Sequence, residues 1–528
     1  MPATTTVGEA ARPAVDGPPA VDGPPPLRAA SPSFTVRVGR TALPPHEPLR
    51  LYAELGAELG LDQVFLFESR NGPEADCRSA VVGCGRLAEV RVFARHIEVD
   101  GTEPLRDALL AVSEHSGMTA PDGPRGAAHR RDFDRSEQVW ELMRRAQRLF
   151  AVETDVPGDA YAFGFLTTLG YGAAWHMERL PERDAARGGP DATFTLFRDT
   201  VRYELDGTGA SLLSADCADF PASGAPAVAA AARAAAAPAG EGPVCPPAPA
   251  PRAVRDSVSR DTFLGWVRRC LEHIRVGDIY QIQVGHRIDV ETALTPLEVY
   301  RRLRFRNPSP YMYLCPRAGG MLIGASPELL FRTEGDEVVM RPIAGTTRRG
   351  PVPEENERRV KELLASVKEQ AEHIMLVDLC RNDIARVSSP GSLAVEGVMT
   401  VEAFSHVFHL VSTVTGRLEP DADVWRTLCA TFPAGTMTGA PKLRAMEIID
   451  GLEEEPRGIY AGAVGLVDVR GWSELALCIR TITYDGRGYA TQSSAGIVAQ
   501  STAEAEWDET LAKMGAAYWA LTGEELVP

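Results

Sequence analysis

The sequence predicts an α+β fold. Three observations carry it: strand-like stretches cluster, helical patterns cluster, and the regular strand–helix alternation of a doubly wound parallel sheet is missing. In the first half FTVRVGR, VFLFES, SAVVG, RVFARHIEV, ATFTLFRDTVRYEL and ASLLSAD alternate or run apolar, as strands do. PLRLYAELGAELG and SEQVWELMRRAQRLFA interrupt them with helical periodicity. In the second half RDTFLGWVRRCLEHIRVG is helix-like, and IYQIQVGHRIDV, YMYLCP, GMLIGAS and ELLFRTEGDEVVMRPI read as strands. Two long helical patterns follow, PEENERRVKELLASVKEQAEHIMLVDLC and GAPKLRAMEIIDGLE, with further strands between and after them.

Composition divides the chain. Residues 1–33 carry a tandem AVDGPP and eight prolines, which bury too little apolar surface to offset their ordering entropy, so a disordered tail is expected. Residues 221–253 are Ala/Pro-rich; the Ala run could form a transient helix, but the flanking prolines mark a linker or surface loop between a 34–220 region and a 254–528 region. A net charge of −17 excludes the basic footprint of a nucleic-acid binder. The nine cysteines are scattered without a CxxC pair, which fits reduced thiols better than a disulfide frame or zinc site. With no bilayer-length apolar run and no signal-like start, a soluble cytoplasmic protein without a membrane partner is expected. Of 55 basic residues only Lys361, Lys368, Lys442 and Lys513 are lysine, so these four draw notice as compact ammonium groups.

Several segments carry chemistry-bearing residues. In SVKEQAEHIMLVDL a helix stripe of Val360, Leu363, Leu364 and Val367 is expected, with Glu369 and Glu372 three apart on one face. TAEAEWDETLAKM repeats the device with Glu506, Glu509 and, one turn on, Lys513. Two such helices suit a hard divalent cation, Mg²⁺ above all, although the same spacing occurs on ordinary solvated helices. FPAGTMTGAPKLRAMEII places a Gly/Thr-rich loop before a helix. There Thr438 would cap, Pro441 would sit in the first turn and Lys442 would face an anion; a plain capped helix start explains the pattern equally well. His406 and His409 fall on opposite faces of a strand, where a satisfied core histidine is the commoner case. Glu328 follows a proline at a strand start, either at the surface or buried with a raised pKa. Tyr460 and Arg480 are possible carboxylate binders.

Together these stretches resemble the chorismate-utilising enzymes, and anthranilate synthase component I most. The resemblance rests on GDIYQIQ, GASPELL, RPIAGT, KEQAEHIMLVDLCRND, SHVFHLVS, FPAGTMTGAPK, RGIYAGAVG, CIRT, SAGIV and EAEWDETLAKM, in family order over about half the chain. It implies a large two-sheet antiparallel sandwich with flanking helices and a site in the cleft between. It further implies Glu372 and Glu509 as Mg²⁺ ligands, with Glu369 and Glu506 supporting through water. Tyr460, Arg480 and the backbone at Gly496 would hold the enolpyruvyl carboxylate, with Lys513 near the substrate and Thr346 and Thr438 positioning ring hydroxyl or ammonia.

The resemblance also bears on the reaction. Family members that add water carry Lys where Gln281 stands, and common aminodeoxychorismate synthases carry an attacking Lys where Ala344 stands. Neither residue here offers an amine. Ammonia attack at C2 with loss of the 4-hydroxyl remains, with Glu328 protonating the leaving hydroxyl and His409 assisting pyruvate loss to give anthranilate. The alternative is release of 2-amino-2-deoxyisochorismate with the pyruvyl group retained; an inactive regulatory relative is a further reading. VFLFESR and FRNPSPYMY resemble the lining of a tryptophan effector pocket, implicating Glu68, Ser69, Asn307, Pro310, Tyr311 and Met312, though both elements could simply pack the sheet. No glutamine amidotransferase signature is present, so ammonia or a separate amidotransferase subunit in a hetero-oligomer is expected. Cys380, Ala385 and Ser494 replace the family's usual glycines.

Overall fold

Two long strands, Ala80–Val92 and Ala192–Tyr203, organise the molecule by passing from one sheet into another. The computed structural model describes residues 32–121, 129–182, 189–204, 209–237 and 245–527. Almost all of the expected tail, residues 1–31, lies outside them. Residues 80–84 pair with Val64–Glu68, whereas 88–92 pair with His96–Gly101. The register shifts between Arg86 and Ala88, next to Gly85 at φ +75°, a bulge that turns the strand. Likewise 192–196 lie along Gly164–Leu169 and 199–203 along Ala210–Asp216.

One sheet continues from Val64–Glu68 through Tyr311–Arg317, Gly320–Ser326, Thr481–Tyr484 and Tyr489–Ile497 to Gln281–Glu291. The other continues from Gly164–Leu169 through Ala463–Asp468, Ser473–Leu477, Leu329–Glu334 and Glu337–Met340 to Val407–Arg417. All these pairings are antiparallel; Phe34–Leu43 with Phe150–Thr154 is parallel. The expected α+β architecture of helices and antiparallel sheet is what the structure shows.

Side-chain alternation explains the layering. Val64 and Leu66 face outward with Tyr52, Tyr300 and Met312 into a core shared with helices. Phe65, one residue out of phase, packs between the sheets with Phe197 and Tyr313, its ring centroid 4.9 Å from that of Phe197. Strands of the 34–220 and 254–528 regions neighbour one another in both sheets, so these regions share one framework.

Two expectations change. The Ala/Pro-rich stretch, read as a linker or loop, contains the helix Ala225–Ala236. Val228, Ala231, Ala232 and Ala235 recur at i, i+3, i+4 and i+7 and are buried in the core that holds the helix Pro48–Leu59. Small side chains permit that close approach, which flanking prolines alone did not reveal. The long pattern after Pro353 is two helices, Pro353–Ala365 and Val367–Ala385. Ser366 caps the second, its hydroxyl accepting from the Glu369 amide at 3.3 Å. The break splits the expected stripe: Leu363 is buried while Leu364 and Val367 are exposed.

Candidate active site

The helices Val367–Ala385 and Ala503–Thr522 carry the four glutamates. Burial raises the Glu372 carboxyl above its usual range; Lys368 opposes this, and Glu369, Glu509 and Glu506 raise it further by repulsion. The pairs on the two helices therefore share one electrostatic environment. Burial also raises Glu506, whose Oε2 is buried without a hydrogen-bond partner. Lys368 Nζ lies 3.7 Å from Glu372, and Lys513 Nζ 2.7 Å from Glu509. Among the described residues no three carboxylate, His or Cys side chains form a ready-made metal shell. The donor set nonetheless fits a hard cation that takes one or two carboxylates and keeps its waters, and an orphaned carboxylate oxygen is what such an ion would satisfy.

The strand Ile343–Arg348 borders this cluster: a Cβ at Gly345 would stand 3.3 Å from Glu369 Oε2. Gly345 has φ +69°, so glycine serves here both by conformation and by lack of bulk. In the next strand His409 Nδ1 lies 3.0 Å from Thr346 Oγ1 and 3.2 Å from the Gly345 carbonyl. A carbonyl only accepts, which places the ring proton on Nδ1 and leaves Nε2 bare. Burial lowers the His409 pKa to about 4, with the Gly345 bond opposing and Arg480 and Lys513 adding to the shift. The imidazole is neutral at physiological pH. His406, by contrast, bonds the Arg306 carbonyl at 2.8 Å, outside the site.

Glu328 sits just before the strand Leu329–Glu334 and is buried. Burial pushes its carboxyl up to about 8, with Thr436 and Lys513 pulling it down. It is thus a protonated acid at neutral pH. Thr436 was not singled out from sequence; nothing in its Gly/Thr-rich loop marked it as the residue that would face Glu328.

Opposite lies a polar strip on adjacent strands. Gln281 and Gln283 project from one face of Gln281–Glu291, and Ser494 and Gly496 lie across from Gly285 and Gln283 on Tyr489–Ile497. A Cβ at Gly496 would meet Gln283 Nε2 at 2.9 Å and Gln281 Nε2 at 3.2 Å, so glycine admits both amides. Gln281 Oε1 is buried without a partner. Tyr460 OH lies 2.7 Å from Ser494 Oγ, and Ser494 donates to Gln283 Oε1 at 2.8 Å. Arg480, at φ +52°, bonds the Lys513 carbonyl at 2.6 Å, and Lys513 Nζ bonds the Ser494 carbonyl at 2.9 Å. Gln283 escaped the sequence reading; its two-residue spacing from Gln281 along a strand was the available signal.

Three expectations need correction. Lys442 does not present a free ammonium: its Nζ bonds both carboxylate oxygens of buried Asp383 at 2.8 Å, tying its helix to Val367–Ala385. Thr438 does not cap that helix, whose N-cap is Pro441; its hydroxyl donates to the Ala434 carbonyl. Its own carbonyl accepts from the Gln283 amide at 2.9 Å, so Thr438 braces the strip from below. The third concerns the effector residues. Glu68 and Met312 are register partners facing the outer helices, and Glu68 accepts from Tyr300 OH and Arg304 Nε at 2.7 Å. Strand alternation points them away from the space between the sheets. Asn307 closes its helix by donating its amide to the Leu303 carbonyl, the Ser69 amide bonds the Ser79 carbonyl, and Pro310 packs on the turn at Gly72. A cavity of about 1010 Å³ does open nearby, lined by Tyr311 and by Phe67, Tyr161, Trp472, Arg78 and Glu74.

Comparison with known proteins agrees on a family. Residues 109–518 match the family described as chorismate binding enzyme. A 2-amino-4-deoxychorismate synthase from Streptomyces globisporus is 45% identical over 493 residues, covering 93% of this chain and 98% of that protein. Anthranilate synthase component 1 of Haloferax volcanii is 50% identical over 275 residues, about half of each chain (51% and 52%). The crystal structure of anthranilate synthase component I from Streptococcus pneumoniae TIGR4 superposes with a TM-score of 0.65 at 28% identity, covering 84% of this chain and 92% of that one.

Proposed function

From its membership of the chorismate binding enzyme family, to which this chain belongs, we propose that this chorismate-utilising enzyme aminates chorismate at C2 with ammonia, expels the 4-hydroxyl and releases the ring with its enolpyruvyl group intact. The observation that carries the choice of product is the Streptomyces globisporus relative, which matches nearly end to end, whereas the anthranilate synthase of Haloferax volcanii matches over about half. The product in that relative's name, 2-amino-4-deoxychorismate, is chemically 2-amino-2-deoxyisochorismate. A second reading, anthranilate formation, is favoured by His409, whose bare Nε2 is free to accept the proton that aromatisation releases.

Glu372 and Glu509 would hold Mg²⁺, with Glu369 and Glu506 acting through its waters. Bound there, the ion would supply positive charge against the ring carboxylate. Arg480 and the Gly496 backbone would bind the enolpyruvyl carboxylate, with the Tyr460 side chain beside it. Glu328 gives its proton to the departing 4-hydroxyl, which needs an acid because hydroxide is a poor leaving group. Ammonia as nucleophile is supported by the lysines of the signature stretches: Lys368, Lys442 and Lys513 each form an ion pair with a carboxylate and are engaged there. A separate glutamine amidotransferase subunit is the ammonia source that family membership suggests.

Incubation with chorismate, Mg²⁺ and ammonium is expected to yield a non-fluorescent amino acid that retains the pyruvyl mass. A lactate dehydrogenase assay should detect no stoichiometric pyruvate. Anthranilate fluorescence with one pyruvate per chorismate would select the second reading.

The cavity of about 1010 Å³ suits an amino-acid effector of the tryptophan type, since aromatic rings, Arg78 and Arg202, and glutamates including Glu74 line it together. Tryptophan is expected to inhibit. Ala403→Trp, at an exposed position on the cavity wall, should remove the inhibition and leave basal turnover intact. Turnover indifferent to millimolar tryptophan in the wild type would dismiss the effector.

A further inference from the structure

Tyr460 and Ser494 each carry one hydroxyl proton, and their hydrogen bonds fix where both protons go. Ser494 Oγ donates to Gln283 Oε1 at 2.8 Å, so within the 2.7 Å contact between the two hydroxyls Tyr460 must donate and Ser494 accept. The chain Tyr460 → Ser494 → Gln283 is buried throughout. It is also anchored at each end. Gln283 is held through its amide by the Thr438 carbonyl and through its carbonyl by Arg457, while the Tyr460 amide bonds the Arg457 carbonyl. The Ser494 carbonyl accepts from Lys513, so the serine backbone is fixed as well. At this end of the site the phenol proton of Tyr460 therefore points into the protein.

That direction matters for the fate of the aminated ring. Loss of pyruvate requires a base to take the C2 proton. The freed electron pair forms the new ring double bond, the C3–O bond breaks with its electrons on oxygen, and the departing enolpyruvate collects a proton to become pyruvate. A donor beside the enolpyruvyl group assists the bond-breaking step. We propose that Ser494 is a specificity-determining residue: by accepting the Tyr460 proton and passing its own to Gln283, it withholds that donor from the leaving enolpyruvate and keeps the side chain on the aminated ring. This rests on the amination of chorismate and on Tyr460 lying beside the enolpyruvyl group. His409 is present with its Nε2 bare, yet elimination is slow because the leaving group is unassisted.

The test measures pyruvate released per chorismate consumed, alongside anthranilate fluorescence, in wild type, Ser494→Gly and Ser494→Ala. Both variants free the Tyr460 hydroxyl, and the ratio is expected to rise about tenfold, the effect of one recovered hydrogen bond in the leaving-group transition state. Adding Tyr460→Phe to Ser494→Gly should return the ratio to the wild-type value. A merely structural role for Ser494 would lower total turnover and leave the ratio unmoved, which overturns the proposal. A double variant that keeps the raised ratio overturns it too. If the wild type already releases one pyruvate per chorismate, nothing is withheld and the inference fails with the product assignment. If the wild type retains the pyruvyl group and both variants do as well, the inference alone fails.

Discussion

Glu372→Gln and Glu509→Gln are each expected to remove Mg²⁺-dependent turnover, lowering kcat by at least about 10²-fold, the scale seen when one preorganised electrostatic contact is lost. Each substitution preserves size and removes a charge, so the Val367–Ala385 and Ala503–Thr522 helices should persist. Glu369→Gln and Glu506→Gln act one layer further out and should shift the Mg²⁺ dependence by about 10–100-fold instead. Chorismate consumption measured across a Mg²⁺ titration separates the two classes. Direct Mn²⁺ binding followed by electron spin resonance gives a readout independent of turnover. Retention of wild-type Mg²⁺ dependence in both Glu372→Gln and Glu509→Gln would remove the metal from this cleft.

Glu328→Gln has the second large effect. It keeps the shape and hydrogen-bonding capacity of the protonated acid but cannot transfer a proton, and kcat should fall by about 10²–10⁴-fold. The wild-type pH profile carries a signature of the same group. Burial holds the carboxyl up to about 8, so the acid form prevails below that value and is lost above it. Turnover should therefore decline as pH rises through about 8, and the residual activity of Glu328→Gln should lack that decline. A basic limb that survives the substitution would assign it to another group.

The elements of the site were legible because they are local. Spacing placed Glu369 with Glu372 and Glu506 with Glu509 on common helix faces, and the position after Pro327 singled out Glu328. Strand existence was legible from alternation, as in Val64–Glu68, where Val64 and Leu66 take one side and Phe65 the other. Partnerships across the fold were not. Lys442 resembled an anion donor until Asp383, 59 residues away, was seen to hold it. Glu68 resembled an effector ligand until its register with Met312 turned it toward Arg304. The Ala225–Ala236 helix was legible only as a transient one between prolines, although the 3.6-residue recurrence of Val228, Ala231, Ala232 and Ala235 that buries it was present in the sequence. Ser366 was visible as a serine but not as a break, because helical propensity on both sides is high.

The interleaving of the strands has a consequence during synthesis. Glu68 pairs with Met312, and Leu166 with Leu466, so each early strand leaves the ribosome long before its neighbour exists. At 5–20 residues per second the wait for Met312 is on the order of 10–50 s. Throughout it the nascent chain presents unpaired edges and the aromatic rings of Phe65 and Phe67 to solvent, a natural substrate for chaperones. Either half alone would leave the edges of Val64–Glu68 and Gly164–Leu169, or of their partners Tyr311–Arg317 and Ala463–Asp468, without those neighbours.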